Sequence, residues 1–155
     1  MSEDWGRREP FVEVDCDTLQ RLAGEALPGR RVHGATPLTA GHVNTNYRLN
    51  LDGGDAFVLR LHADGPDTAR KEEAVLALVG GSVPVPEVVW TGRCDDRPAT
   101  LLRWVDGEPM THVVVNGGED DVVQCAEAAG TVLSRIGGLT FPEPGFLGPD
   151  LHVSH

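Results

Sequence analysis

The chain has 155 residues, 40% hydrophobic and 24% charged, with a formal net charge of −11. That length suffices for one folded unit, and the plentiful aliphatic residues exclude a disordered or low-complexity chain. The acidic balance argues against a duplex nucleic-acid binder, which needs a basic stripe against phosphates, and no apolar run reaches the roughly 18 residues that span a membrane.

Residues 15–27 have apolar positions at Leu19, Leu22, Ala23, Ala26 and Leu27, the period of an amphipathic helix. Asp15 or Asp17 can cap its start and Pro28-Gly29 stops it. Strands are expected at 32–38, 46–51 and 56–62, the last two joined by Asp52-Gly53-Gly54-Asp55, a hairpin connection. In the third strand Phe57, Leu59 and Leu61 share one face, and Val58, Arg60 and His62 the other. An arginine inside an otherwise apolar strand requires a partner for its charge.

Pro66 opens a helix to about Val79, with Val75, Leu76 and Val79 inward, closed by Gly80-Gly81. Val83-Pro84-Val85-Pro86 is extended, because each proline pushes its predecessor out of the helical region. Strands near 87–91 and 99–104 flank a polar turn from Gly92 to Arg97. Asp106-Gly107-Glu108-Pro109 reads as a linker, and His112-Val113-Val114-Val115 has no assignment by pattern. A long helix follows over 119–136, striped by Val122, Cys125, Ala129, Val132, Leu133 and Ile136, and the tail from Phe141 reads as loop.

The stretches LTAGHVNTNYRLNL (38–51), FVLRLH (57–62), RKEEAVLALV (70–79), SVPVPEVV (82–89), LLRWVDGEPM (101–110) and LTFPEPGFLGP (139–149) carry a resemblance. In this order and spacing the chain resembles the aminoglycoside phosphotransferase and choline kinase family, which shares the protein-kinase-like fold. The resemblance implies an α+β architecture: an N-lobe with an antiparallel five-stranded sheet and one packed helix, then a hinge and one long C-lobe helix. The corresponding segments are an N-terminal helical segment (1–31), a nucleotide-binding N-lobe (32–105), and a hinge with the start of the C-lobe (106–155).

The resemblance implies ATP as the bound nucleotide, with residues 40–46 over its phosphates and Gly41, Asn44, Thr45 and Asn46 as the contacts. Taken alone, that loop reads as an ordinary polar hairpin and His42 as a solvated histidine. Arg60 stands where kinase-like folds place a phosphate-holding cation, and Glu72 in the next helix stands as its partner. A plain structural salt bridge is the other reading of that pair, and Glu73 is the neighbouring register. Val58 is expected to line the adenine pocket and the backbone of Leu102, Arg103 and Trp104 to meet the adenine edge, Trp104 and Trp90 themselves serving packing. Twelve of the thirteen Lys and Arg residues are arginines, and Lys71 is expected to be merely an exposed neighbour of Glu72.

The family's later catalytic loop, His-x-Asp-x-x-x-x-Asn, and its acidic metal motif have no match. His62-Ala63-Asp64 begins like the loop, but Ala69 stands where Asn is required. Asp15-Cys16-Asp17 precedes the lobe and reads as helix capping. Gly137 stands where the family often has histidine. The chain is therefore expected to be inactive alone, as a truncated product or half of a split enzyme, with Mg²⁺ needed only in a full-length form. The alternative is a non-catalytic interaction module that self-associates, or meets a C-lobe partner chain, through the 119–136 helix. Three widely spaced cysteines (Cys16, Cys94, Cys125) suggest neither disulfides nor a metal site, and the polar start Met1 to Pro10 does not read as a secretory leader. Both point to the cytoplasm.

Overall fold

Alternation along three consecutive strands builds the sheet on which everything else rests. The structure, a computed structural model, describes residues 7–154. Residues 1–6, and with them the start of the 1–31 segment and of the polar Met1–Pro10 stretch, lie outside the described residues, as does His155. Strands β1 (Val32–Leu38), β2 (Thr45–Leu51), β3 (Ala56–Leu61), β4 (Val88–Cys94) and β5 (Arg97–Arg103) form one antiparallel sheet in the order β1-β2-β3-β5-β4. Both outer strands carry a register break, β1 between Val32 and Gly34 and β4 between Val88 and Trp90.

One face of the sheet is the core. Tyr47, Leu49 and Leu51 from β2, Phe57, Leu59 and Leu61 from β3, and Ala99 and Leu101 from β5 are buried there against Leu19, Leu22 and Ala23. The last three belong to helix α1 (Cys16–Ala26), whose N-terminus is capped by the Asp15 carboxylate accepting the Thr18 N–H at 2.7 Å. The extended segment before α1 completes this layer: Tyr47 Oη donates to the Val12 carbonyl at 2.9 Å and accepts the Val14 N–H at 3.1 Å. Gly53 and Gly54 in the β2–β3 turn have φ of +84° and +87°, conformations that glycine adopts without strain. Arg30 clamps that turn by ion pairs to Asp52 and Asp55, each at 2.8 Å.

The other face carries Asn46 and Arg48 of β2, Val58 and Arg60 of β3, and Thr100 and Leu102 of β5, which are cross-strand neighbours. Helix α2 (Gly65–Val79) crosses β5 on this side. Val75, Leu76 and Val79 are only half-buried there, so α2 is a helix leaning on the sheet rather than a core element.

The remaining departures from the sequence expectations are local. Strand β4 runs on to Cys94 and β5 starts at Arg97, so the turn is Asp95-Asp96 alone, with Asp95 at φ +52°. His112–Val115 lies in a short helix, α3 (Met110–Asn116), that packs on α4 (Glu119–Gly137). Three β-branched valines disguise it, since they favour strands. The tail is not all loop: β6 (Phe146–Leu147) and β7 (Val153–Ser154) pair antiparallel. No residue of α3 or α4 is buried. Arg135 Nη1 ties α4 to the end of α2's connection by donating to the Ser82 carbonyl at 3.2 Å. Among the described residues no helix is long and apolar enough to cross a membrane.

Candidate functional site: an arginine clamped between the sheet and helix α2

Arg60 has the partners that its place in an apolar strand demands. Its Nη1 forms an ion pair with Glu72 Oε1 of α2, and its Nε donates to Asn46 Oδ1 at 3.1 Å. Burial works against the guanidinium charge, and contact with a carboxylate offsets that cost. The partner is Glu72; Lys71 beside it is exposed.

His62 closes the cluster from behind. Its ring is 1% exposed, with Nε2 2.9 Å from Thr100 Oγ1 and Nδ1 3.7 Å from Glu72 Oε2. Burial first, and the neighbouring Arg60 charge second, hold its pKa below the ordinary histidine value, so the imidazole is neutral at pH 7.

The loop between β1 and β2 bends over this face. Arg7 fastens it, donating through Nη1 to the Gly41 carbonyl at 2.8 Å and through Nη2 to the Asn44 carbonyl at 3.1 Å. Asn44 Oδ1 accepts the Ala63 N–H at 3.1 Å, which joins the loop to the end of β3. A Cβ at Gly41 would sit 3.3 Å from both the Asn44 carbonyl oxygen and Asn46 Nδ2, so a side chain there would press on both neighbours.

Of the residues that the sequence nominated, Asn46, Arg60, Glu72 and Val58 meet on one face, with Gly41 and Asn44 at its edge and Leu102 paired with Val58. Thr45 is different. It is buried on the core side, and its hydroxyl accepts the Val12 N–H at 3.0 Å, so it anchors the N-terminal segment and does not face Arg60. At the expected hinge, the Arg103 N–H is bonded to the Glu87 carbonyl at 2.9 Å and the Trp104 N–H to the Ala56 carbonyl at 3.1 Å. Arg103 itself is exposed and pairs with Glu87. The Trp104 ring lies against the Arg48 guanidinium, 4.3 Å from the ring centroid.

Sequence reasoning missed three contributors. Arg7 acts on backbone carbonyls, whose positions no residue type announces. Arg48 has a buried Nε without a hydrogen-bond partner on the same face as Val58 and Arg60, yet in the sequence it is one polar residue of an alternating strand. His62 is placed on the Arg60 face by the alternation of the strand, but its role was hidden, because the residues that meet its ring, Glu72 and Thr100, come from other elements.

Among the described residues no group of three or more His, Cys, Asp or Glu is placed to hold a metal ion.

Residues 34–152 match the phosphotransferase enzyme family, and the chain belongs to that family. Solved structures with similar architecture include the GDP complex of wild-type aminoglycoside 2'-phosphotransferase-IIIa, at 22% identity and a TM-score of 0.65 over 82% of this chain and 43% of that one. Another is a thermostable mutant of aminoglycoside phosphotransferase APH(4)-Ia in a ternary complex with AMP-PNP and hygromycin B, at 18% identity and a TM-score of 0.66 over 86% and 44%. At these identities the likeness is one of fold. The chain spans less than half the length of these relatives. No curated protein sequence matches it.

Proposed function

We propose that this chain is the nucleotide-binding lobe of a small-molecule phosphotransferase, and that it holds ATP for transfer of the γ-phosphoryl group to a hydroxyl acceptor. The observation that carries the reading is Arg60, charged and held between Glu72 and Asn46 on the face of the sheet that α2 partly covers. Phosphoryl transfer depends on positioning and charge neutralisation, and a planar guanidinium can take two phosphate oxygens at once. Gly41, Asn44 and Asn46 bound the phosphate end, and Val58 and Leu102 line the base. With the N–H groups of Arg103 and Trp104 engaged inside the lobe, the adenine edge is left to carbonyl oxygens of that segment. Three free cysteines suit a reducing, cytoplasmic setting.

Family membership and the fold support the reading. The negative charge favours a cationic acceptor over an anionic one. No His-x-Asp-x-x-x-x-Asn pattern occurs in the chain, so it is proposed to bind nucleotide without turning it over. The test is thermal: MgATP raises the melting temperature, Arg60→Ala abolishes the rise, and no phosphate is transferred to any acceptor. Absence of a shift at millimolar ATP defeats the nucleotide site, and turnover by the isolated chain defeats the inactivity.

A second reading, an interaction module, has its own observation. Leu133 is 66% and Ile136 44% exposed on α4, with Val114 and Val115 exposed on α3. An apolar surface of that kind marks a face for another protein, either a partner chain or a second copy.

A further inference from the structure

Arg7 directs its charge at neutral oxygens. Its Nη1 donates to the Gly41 carbonyl at 2.8 Å, and its Nη2 to the Val43 and Asn44 carbonyls at 3.4 and 3.1 Å. The Arg8 N–H takes the His42 carbonyl at 2.9 Å. Four successive carbonyls of the β1–β2 loop are thus drawn to one side by two neighbouring residues of the N-terminal segment. In a trans peptide the C=O of one residue and the N–H of the next point in opposite directions, and the loop's peptide bonds are all trans. The N–H groups of residues 42–44 are therefore turned away from that segment. The segment itself lies with the core layer, where Val12 bonds the hydroxyls of Thr45 and Tyr47. Away from it is the side of the sheet that carries Asn46 and Arg60.

The geometry points to Arg7 as a positioning residue for nucleotide phosphates: by holding the loop's carbonyls on the core side, it presents the loop's N–H groups to phosphate oxygens. The inference rests on the nucleotide reading above and deepens it. Successive N–H groups aimed at one place form an anion-binding concavity. A guanidinium behind a carbonyl also polarises that peptide, which strengthens the donor at its far end. The arginine is braced for this task. Its guanidinium lies over the Phe11 ring, 5.3 Å from the centroid, and Phe11 meets the buried Tyr47 ring edge-on with centroids 5.3 Å apart. Its Nε donates to the Glu9 carbonyl at 2.9 Å, which fixes the fork. Loop, cation and core are one assembly, so the ligand need not order the loop, and binding costs less. Residues 7–12 precede the stretch from 34 to 152 that matches the family, so the brace comes from outside the matched lobe. Arg7 touches no reacting atom and acts only through the loop's peptide groups.

Backbone amide spectra and calorimetry of the full chain test this. On saturation with Mg²⁺ and AMP-PNP, the amide resonances of Val43 and Asn44, and those of Val58 and Leu102, are expected to move. In Arg7→Met the Val58 and Leu102 shifts persist, while those of Val43 and Asn44 are lost. Affinity falls about tenfold, within the coupling found among members of one hydrogen-bonded network. A role confined to anchoring the N-terminal segment leaves the Val43 and Asn44 shifts in place, and that result overturns the proposal. So does an unchanged affinity, an equal loss of all four shifts, or Val43 and Asn44 amides that stay still in the unsubstituted chain while the other two move. Arg7→Lys keeps the charge but not a fork that spans the Gly41 and Asn44 carbonyls, and is expected to recover little of the lost affinity. Full recovery assigns the effect to charge alone and overturns the positioning role. Should Arg7→Met fail to fold, Arg7→Lys is read by the same four amides with the same expectations. If the unsubstituted chain does not bind the analogue, the nucleotide reading fails and takes this role with it. Binding that Arg60→Ala abolishes but Arg7→Met leaves intact overturns this role alone.

Discussion

Asp15 and Asp52 both spend their charge on backbone and arginine donors. Asp15 is held below its ordinary pKa first by the Thr18 backbone bond, and Asp52 first by Arg30. A carboxyl whose folded pKa is depressed contributes stability that is complete above its unfolded value and disappears as pH falls through the folded one. Asparagine caps a helix about as well as aspartate and does not titrate. Asp15→Asn is therefore expected to preserve the melting temperature at neutral pH and to flatten its fall in acid; melting curves across the acid range check it, and an unaltered acid limb contradicts it. The same scale shows why the site was only half legible. Arg60 betrayed itself, because a cation in an otherwise apolar strand must be paired, while the choice of Glu72 over Glu73 came from the family resemblance. Thr45 did not, since a hydroxyl in a loop reads as a phosphate donor until Val12, 33 residues earlier, is found bonded to it.

Elements declare themselves when their pattern is periodic and their ends are chemically marked. Helix α1 has both, with Asp15 at one end and Pro28-Gly29 at the other, and the structure departs from the expected span by one residue at each end. Helix α3 has neither, so its existence is decided by Pro109 at its start and by packing against α4. In β4 the informative residue is a glycine. A Cβ on Gly92 would fall within the Trp90 indole, which packs partly buried against the core. A rigid ring cannot step aside as a flexible chain end does. Gly92→Ala is expected to destabilise the chain by about 1–3 kcal/mol, the range for overpacking, read from urea denaturation; a neutral result would mean that Trp90 has room to move.

At the scale of the whole molecule the two ends of the chain are built differently. The sheet with α1 has a dense core on one side, whereas no residue of α3 or α4 is fully buried. The stripe expected on α4 divides accordingly: Val122, Cys125, Ala129 and Val132 are half-covered, while Leu133 and Ile136 are exposed. If that surface binds a second copy, sedimentation will show a concentration-dependent dimer that Leu133→Gln with Ile136→Gln returns to monomer. A monomer at all concentrations removes the self-association form of the module reading.

The register breaks at the two outer strands decide where such contacts can form. A flat, unpaired strand edge is an open template for another chain's backbone, the route to aggregation and amyloid. In β1 the break lies beside Gly34 and is followed by Pro37, which has no N–H to offer; in β4 it lies between Val88 and Trp90. Bulges twist an edge out of alignment and proline leaves a gap in its row of donors. Both margins of the sheet are thus blunted against edge-to-edge growth, so self-association of the kind proposed would run through the exposed side chains of α3 and α4.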